Sequence, residues 1–200
     1  MIKFKDRGKD KKVNAANKLT ISRIFLVFPA VFFVLCEWIP HRWIGAFFVF
    51  LLASFTDYLD GKIARKYNYI TDFGKIMDPL ADKMLTISMY ICFVGLGISS
   101  ILPVVLIVIR EFLITSVRFL VSEKKNVVIS ANIFGKLKTI SQILTIGAVM
   151  LTQIYMEMFS GNYYTKLNFV IDILIWISCV FSIVSGVVYL YQSKKILSSN

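Results

Sequence analysis

The chain has 200 residues, of which 57% are hydrophobic, and it carries a formal net charge of +11. Its mean hydropathy of +0.70 is well above the range of soluble domains, which argues against a soluble globular protein. Nucleic-acid binding is also disfavoured, because the positive charge is divided among short segments between apolar runs, as in the cytoplasmic loops of membrane proteins. The three cysteines lie singly in apolar runs, so neither a disulfide framework nor a metal-binding cysteine motif is expected.

Six apolar segments predict six helices, each long enough to cross about 30 Å of hydrocarbon, which takes about 20 residues. The predicted helices cover residues 20–38, 43–66, 74–98, 101–121, 133–156 and 167–191. The predicted fold class is therefore an all-α integral membrane protein with six transmembrane helices. We divide the chain into a short basic juxtamembrane segment, a six-helix domain and a cytoplasmic tail, at residues 1–18, 19–192 and 193–200.

Lysine and arginine residues concentrate in alternate connections between these helices. They are frequent in residues 1–18, whereas the three loops on the other side contain only Arg42 and Lys166. This asymmetry predicts that both termini lie in the cytoplasm. The basic N-terminal segment either binds anionic lipid or only fixes the topology, and the sequence leaves both possibilities open.

Four aspartates interrupt the apolar pattern of the second and third predicted helices. They belong to what we call the aspartate motif, Asp57-x2-Asp60-Gly61-x2-Ala64-Arg65-x8-Gly74-x3-Asp78-x3-Asp82. An isolated charge at the bilayer centre costs about 2.5–3.5 kcal/mol, so four carboxylates there require compensation. The predicted topology places all four at the cytoplasmic ends of their helices. We therefore expect a functional cavity in the inner leaflet that opens to the cytosol.

The spacing of these carboxylates indicates a site for divalent cations. Asp57 and Asp60 lie one turn apart on one helix face, and Asp78 and Asp82 form a second stripe. Hard carboxylate oxygens suit Mg²⁺ or Mn²⁺, and two such ions can clamp a diphosphate. The alternative is that the aspartates form buried salt bridges with the lysines near them in the sequence, Lys62, Lys75 and Lys83.

The aspartate motif resembles, without a gap, the signature of the CDP-alcohol phosphotransferase family. The resemblance implies a metal-dependent transfer in which an alcohol attacks a CDP-linked lipid and CMP is released. It also implies that the four aspartates bind two Mg²⁺ or Mn²⁺ ions and that Asp82 is the general base. The residues that we expect to bind the CDP group are Asn17, Thr20, Gly61, Ala64, Arg65 and Gly74. Arg65 offers a planar donor fork to phosphate, and the two glycines let a nucleotide approach the backbone closely.

Other segments resemble family members whose acceptor is sn-glycerol 3-phosphate. These segments are Asn17-x2-Thr20-x2-Arg23, Arg110-Glu111-Phe112 and Gly135-Lys136-Leu137-Lys138-Thr139. In the predicted topology four cations lie at the depth of the aspartates, where they would bind the phosphate of the acceptor. These cations are Arg110, Arg118, Lys136 and Lys138. The alternative for each is that the long side chain only snorkels to the interface, above all at Lys138.

The expected function is transfer of a phosphatidyl group from CDP-diacylglycerol to sn-glycerol 3-phosphate in the inner (cytoplasmic) membrane, with the active site facing the cytoplasm. Another acceptor (phosphatidylglycerol, inositol phosphate or serine) is an alternative, and a divalent-cation transporter is a rival from another class. The resemblance also implies a homodimer in contact with membrane lipids. Ser178, Ser182 and Gly186 form a small-residue stripe on the last helix, suited to close packing either within the chain or between copies.

Overall fold

The computed structural model describes the backbone of residues 22, 24–67, 72–125, 133–159 and 164–198. Side chains are described over the same ranges except at 57–82, 122–125, 164–166 and 195–198. Regular structure in these ranges is entirely α-helical and comprises six helices. They are α1 (Ile24–Leu35), α2 (Arg42–Tyr67), α3 (Asp72–Gly95), α4 (Ile101–Lys125), α5 (Ile133–Met158) and α6 (Tyr164–Ser198). The prediction of an all-helical chain is confirmed for the part that the structure describes.

The third helix ends earlier than the apolar pattern predicts, at Gly95 instead of Ile98. Gly97 adopts a φ of +69°, a left-handed conformation that glycine enters without steric cost. Its N–H donates to the carbonyl of Val94 over 3.0 Å, and the N–H of Ile98 donates to the carbonyl of Phe93 over 2.9 Å. These two bonds form a Schellman motif, which satisfies the last carbonyl groups of α3 and stops the helix.

The last helix is longer than predicted. α6 contains 35 residues and is therefore about 52 Å long, more than the hydrocarbon thickness requires. It runs beyond the predicted end at residue 191 and through most of the segment expected to form the tail. No glycine or proline follows Gly186 in this helix, so its last turns, from Val187 to Ser198, contain no helix breaker.

The chain forms two compact units, Met1–Ser88 and Met89–Asn200. In the first unit, α2 buries one line of residues spaced by three and four positions, which is the spacing of a single helix face. This line consists of Trp43, Ala46, Phe50 and Ala53. α1 approaches α2 closely at Gly45, where an added Cβ would lie only 2.9 Å from the ring of Phe33. Gly45 of α2 thus makes room for the ring of Phe33 of α1.

In the second unit, α6 packs against both α4 and α5. The buried face of α6 is unusually small and polar, since Ser178, Ser182 and Ser185 all lie on it. The hydroxyl groups of Ser178 and Tyr90 form a hydrogen bond of 3.0 Å, and Tyr90 is fully buried. The small-residue stripe is therefore used for packing inside the chain.

The outward faces of the helices are apolar. Among many examples, Phe48 and Phe55 of α2 are more than half exposed, as are Ile109 of α4 and Val187 of α6. A soluble monomer rarely exposes so much contiguous apolar surface. Among the described residues, two helical stretches, Ile133–Met158 and Leu167–Lys194, are long and apolar enough to cross a membrane. α4 is also long enough to cross a membrane, but it is less apolar because it contains Arg110, Glu111 and Arg118.

The start of α4 is held by a carboxylate from another helix. Asp172 of α6 accepts hydrogen bonds at Oδ1 from the backbone N–H of Ser100, over 3.0 Å, and from the Ser100 hydroxyl. Ser100 immediately precedes the first residue of α4. Asp172 therefore fixes the connection between α3 and α4 against α6.

We predict that Asp172→Ala destabilises the folded chain by about 1 kcal/mol, because a helix N-terminus loses the carboxylate that restrains it. Thermal unfolding in detergent measures the effect. Asp172→Asn is the matched control, since it keeps an acceptor oxygen at the same place and should lose less stability. Equal losses in the two variants would contradict this role of the Oδ1 atom.

Candidate active site

The first half of the aspartate motif lies on the continuous helix α2. The backbone of α2 is helical through Tyr67, so positions 57, 60 and 64 continue the three-and-four spacing of the buried line that ends at Ala53. Asp57 and Asp60 thus lie at positions that continue this spacing along the backbone of α2. Their side chains lie outside the described residues.

The second half of the motif lies on α3 in the same manner. Leu85, Met89 and Cys92 are buried and are spaced by four and three residues. Asp78 and Asp82 precede them at the matching intervals on one helix that begins at Asp72. The backbone therefore places the aspartates of α3 on the continuation of a buried line. The side chains of Asp78 and Asp82 also lie outside the described residues.

The donor set of the motif fits a hard divalent cation. Pairs of carboxylates one turn apart on helical backbone supply only oxygen ligands, which Mg²⁺ and Mn²⁺ prefer. Among the described side chains, no group of three or more His, Cys, Asp or Glu residues could hold a metal ion. The assignment of metal binding to the four aspartates stays a prediction, because their side chains lie outside the described residues.

A second group of charged side chains lies between α4, α5 and α6. Oε1 of Glu111 accepts a hydrogen bond of 3.1 Å from Nη1 of Arg110 and forms an ion pair with Nζ of Lys138. Glu111 and Lys138 are buried, with only 2% of Glu111 exposed, and Arg110 is largely buried, with 12% of its side chain exposed. Pairing compensates much of the cost of removing these charges from water. Two predicted acceptor-binding cations, Arg110 and Lys138, thus meet at one carboxylate.

Two neutral side chains complete this group. Nε2 of Gln142 lies 3.5 Å from Oε1 of Glu111, and Nη2 of Arg110 donates to Oγ of Ser185 over 3.0 Å. We call Arg110, Glu111, Lys138, Gln142 and Ser185 the Glu111 cluster. Its residues come from three helices, so the cluster joins α4, α5 and α6 through polar contacts.

Gly186 makes room for Arg110 in the cluster. A Cβ added at this glycine would lie 3.0 Å from Nε and 3.2 Å from Cγ of Arg110. Both distances are shorter than ordinary van der Waals contacts, so any larger residue would displace the guanidinium. The glycine of the small-residue stripe therefore has a specific role in placing Arg110.

The other two predicted acceptor-binding cations lie apart from the Glu111 cluster. Arg118 is exposed, and its guanidinium carbon lies 5.4 Å from the centre of the Tyr189 ring, within the range of a cation–π interaction. Lys136 is also exposed. It is two residues from Lys138 on α5, and this separation turns the two side chains to nearly opposite sides of a helix.

The residues predicted to bind the CDP group are not covered by the described side chains. Asn17 and Thr20 precede the described part of the chain, and Gly61, Ala64, Arg65 and Gly74 lie on α2 and α3 with their side chains undescribed. Their assignment stays a prediction.

Glu111, Gln142 and Ser185 have no role in the site predicted from the sequence. One signal was present: an acidic residue in the middle of an otherwise apolar membrane helix is generally functional or paired. The spacing of Lys138 and Gln142, four residues apart, also places them on one face of α5. The contact of Ser185 with Arg110 spans 75 residues, and no local pattern predicts it.

Comparison with known proteins identifies the same family that the aspartate motif resembles. The family model of the CDP-alcohol phosphatidyltransferases matches residues 13–184. A protein of Bacillus subtilis named CDP-diacylglycerol--glycerol-3-phosphate 3-phosphatidyltransferase is 33% identical over 94% of this chain and 98% of its own. A protein of the same name from Rickettsia felis is 37% identical over 91% of this chain and 96% of its own. Another, from Mycoplasma genitalium, is 31% identical over 94% of this chain and 88% of its own. The chain therefore belongs to the CDP-alcohol phosphatidyltransferase family.

Proposed function

We propose that this protein is a membrane enzyme that transfers the phosphatidyl group of CDP-diacylglycerol to sn-glycerol 3-phosphate. The products are phosphatidylglycerol phosphate and CMP. The observation that carries the proposal is the gap-free aspartate motif, in a chain whose similarity to proteins named for this reaction extends over nearly its whole length.

The reaction breaks the phosphoanhydride bond of the CDP-lipid and forms a phosphodiester bond to the acceptor. A hydroxyl oxygen of glycerol 3-phosphate attacks the phosphorus of the phosphatidyl group, and the bond from this phosphorus to the CMP phosphate breaks. Asp82 takes the proton of the attacking hydroxyl, as the family resemblance implies. A carboxylate within hydrogen-bonding reach of the hydroxyl increases the nucleophilicity of its oxygen as the proton leaves.

The remaining residues of the motif bind and orient the donor. Divalent cations held by Asp57, Asp60, Asp78 and Asp82 would stabilise negative charge on the diphosphate. The family is generally dependent on divalent metals. Arg65 binds phosphate through its planar fork, and Gly61 and Gly74 allow the nucleotide to approach the backbone.

The acceptor carries a phosphate dianion, which requires cationic partners. Arg118 and Lys136 are exposed, and the predicted topology places both in the cytoplasmic halves of their helices, the side from which a soluble anion arrives. Arg110 and Lys138 add charge from within the Glu111 cluster. Charge-assisted hydrogen bonds from such groups to phosphate are short and strong. We assign Arg110, Lys138 and Arg118 to acceptor binding. Lys136, which α5 turns to nearly the opposite side from Lys138, stays a prediction from the sequence.

The apolar outer faces of the helices and the basic connections between them support a multi-pass protein of the cell membrane. We propose six spans with both termini in the cytoplasm and an active site that faces the cytoplasm, where the acceptor is dissolved. We also propose a homodimer, as the family resemblance implies.

The decisive experiment is release of CMP from CDP-diacylglycerol by the purified chain, measured with a panel of alcohol acceptors. Glycerol 3-phosphate should support the fastest turnover. Faster release with phosphatidylglycerol, inositol phosphate or serine would transfer the assignment to that acceptor. No release with any acceptor, combined with Mn²⁺ flux into liposomes that contain the protein, would favour the cation transporter.

We predict that activity requires Mg²⁺ or Mn²⁺ and that Asp57→Asn and Asp78→Asn lose metal and activity together. Each substitution replaces a charged oxygen ligand by a neutral amide. Mn²⁺ binding, followed by electron paramagnetic resonance, gives a readout that does not depend on turnover. Asp172→Asn, which alters a carboxylate outside the motif, is the control and should bind Mn²⁺ normally. Full turnover after exhaustive chelation would contradict metal dependence.

We predict that Asp82→Asn lowers kcat by about 10²–10⁴-fold while CDP-diacylglycerol still binds, since a general base typically contributes a factor of this size. Single-turnover rates and binding of the CDP-lipid separate the two effects. A variant that keeps more than about a tenth of the rate would show that Asp82 is not the base.

We predict that Arg118→Ala raises the KM for glycerol 3-phosphate by about tenfold or more, because a charge-assisted bond to phosphate is worth about 1.5–3 kcal/mol. The KM for CDP-diacylglycerol should change little. Steady-state kinetics in which each substrate is varied in turn give both constants. Lys194→Ala, which removes an exposed cation near the end of α6, is the control. An equal rise in both KM values would remove Arg118 from the acceptor site.

A further inference from the structure

Glu111 is the one acidic residue among the cations of the Glu111 cluster, and neither the family resemblance nor the aspartate motif gives it a function. It lies in the middle of α4, and only 2% of it is exposed. An ionised carboxylate at such a depth is costly unless it is paired, and intramembrane charges are functional more often than not.

The contacts of Glu111 define what it can do. Its Oε1 atom interacts with Nη1 of Arg110, with Nζ of Lys138 and, at 3.5 Å, with Nε2 of Gln142. One oxygen therefore fixes the separation between a cation of α4 and a cation of α5. Both cations belong to the set assigned to the acceptor phosphate.

The charges in the cluster leave it cationic. Two cations and one carboxylate, namely Arg110, Lys138 and Glu111, give a formal charge of +1. If the carboxylate were neutral, Arg110 and Lys138 would repel each other strongly in the poorly screened interior. Both side chains would then move apart, and a rigid anion could not contact them in the same geometry.

We propose that Glu111 is a positioning residue for the acceptor: it holds Arg110 and Lys138 at fixed places, both charged, so that they can bind the phosphate of glycerol 3-phosphate together. The inference rests on the proposed function, because only an acceptor with a phosphate requires this pair of cations. Glu111 itself does not contact the substrate, since phosphate and carboxylate repel each other.

Arg110 is restrained from its other side as well. Nη2 donates to Oγ of Ser185, and the side chain of Arg110 lies close against Gly186 of α6. A guanidinium whose two terminal nitrogens are both hydrogen-bonded loses little further rotamer entropy when it binds an anion. Ser185 is therefore a weaker second support of the same geometry.

The test compares the two KM values of the purified full chain. Glu111→Gln keeps the shape of the side chain and removes its charge, and it should raise the KM for glycerol 3-phosphate by about tenfold. The KM for CDP-diacylglycerol should stay within about twofold of wild type. Glu111→Asp keeps the charge but shortens the reach towards α5, so its acceptor KM should lie between wild type and Glu111→Gln.

A matched pair of serine variants tests the support from α6. Ser185→Ala removes the hydrogen bond to Arg110 and should raise the acceptor KM by about threefold. Ser182→Ala is the control: it is one turn away, fully buried, and its Oγ has no hydrogen-bond partner among the described residues. It should leave both KM values unchanged. Equal effects in the two serine variants would overturn the positional argument.

The outcomes distinguish this inference from the proposed function. Absence of wild-type turnover with glycerol 3-phosphate overturns both. If the wild-type chain turns over glycerol 3-phosphate, two results for Glu111→Gln overturn only the positioning role. These results are an unchanged acceptor KM and equal rises in both KM values. A fall in thermal stability with unchanged KM values shows a purely structural residue and overturns it as well. If Glu111→Gln does not fold, Glu111→Asp decides by the same criterion.

Discussion

Charged groups inside an apolar helix bundle must be paired, and this constraint organises the second unit of the chain. An isolated charge at the centre of a membrane helix costs about 2.5–3.5 kcal/mol, and removal of one partner from a buried ion pair costs about 3–5 kcal/mol. Arg110, Glu111 and Lys138 can be buried only while α4 and α5 stay in the arrangement that lets them meet. The relative positions of these helices are thus tied to the position of one carboxylate oxygen.

The small residues of α6 allow this arrangement. Ser185 and Gly186 lie where α4 brings Arg110 against α6, and one residue supplies an acceptor while the other supplies space. Further along the helix, Ser178 bonds the buried hydroxyl of Tyr90. Lipid-exposed helices gain no hydrophobic energy from contact with each other, so close packing and such hydrogen bonds supply the attraction. The polar face of α6 is therefore compatible with a strongly apolar outer face.

The sequence predicted the existence and order of the six helices, because each predicted segment is long enough to cross the membrane as a helix and turn-forming residues separate the segments. It predicted helix ends less well. α3 stops at Gly95 because Gly97 can adopt a left-handed conformation, and hydropathy does not register backbone conformation. α6 continues to Ser198 because a helix does not end where its residues become polar. The ends of these helices are therefore determined by capping motifs and helix-breaking residues more than by where the apolar segment ends.

The sequence by itself determined the aspartate motif, its likeness to one family, and the candidate metal, nucleotide and acceptor residues. The pairing of the aspartates follows from spacing along a helix, which is fixed by the geometry of 3.6 residues per turn. The nucleotide residues follow from the family resemblance, and the acceptor residues from that resemblance together with the predicted depth of the cations. Only the tertiary structure decided which cations meet. Arg110 and Lys138 share Glu111, whereas Arg118 lies over Tyr189 and Lys136 is exposed. Such contacts join residues on different helices, and their distances depend on how the helices pack, which no local pattern encodes.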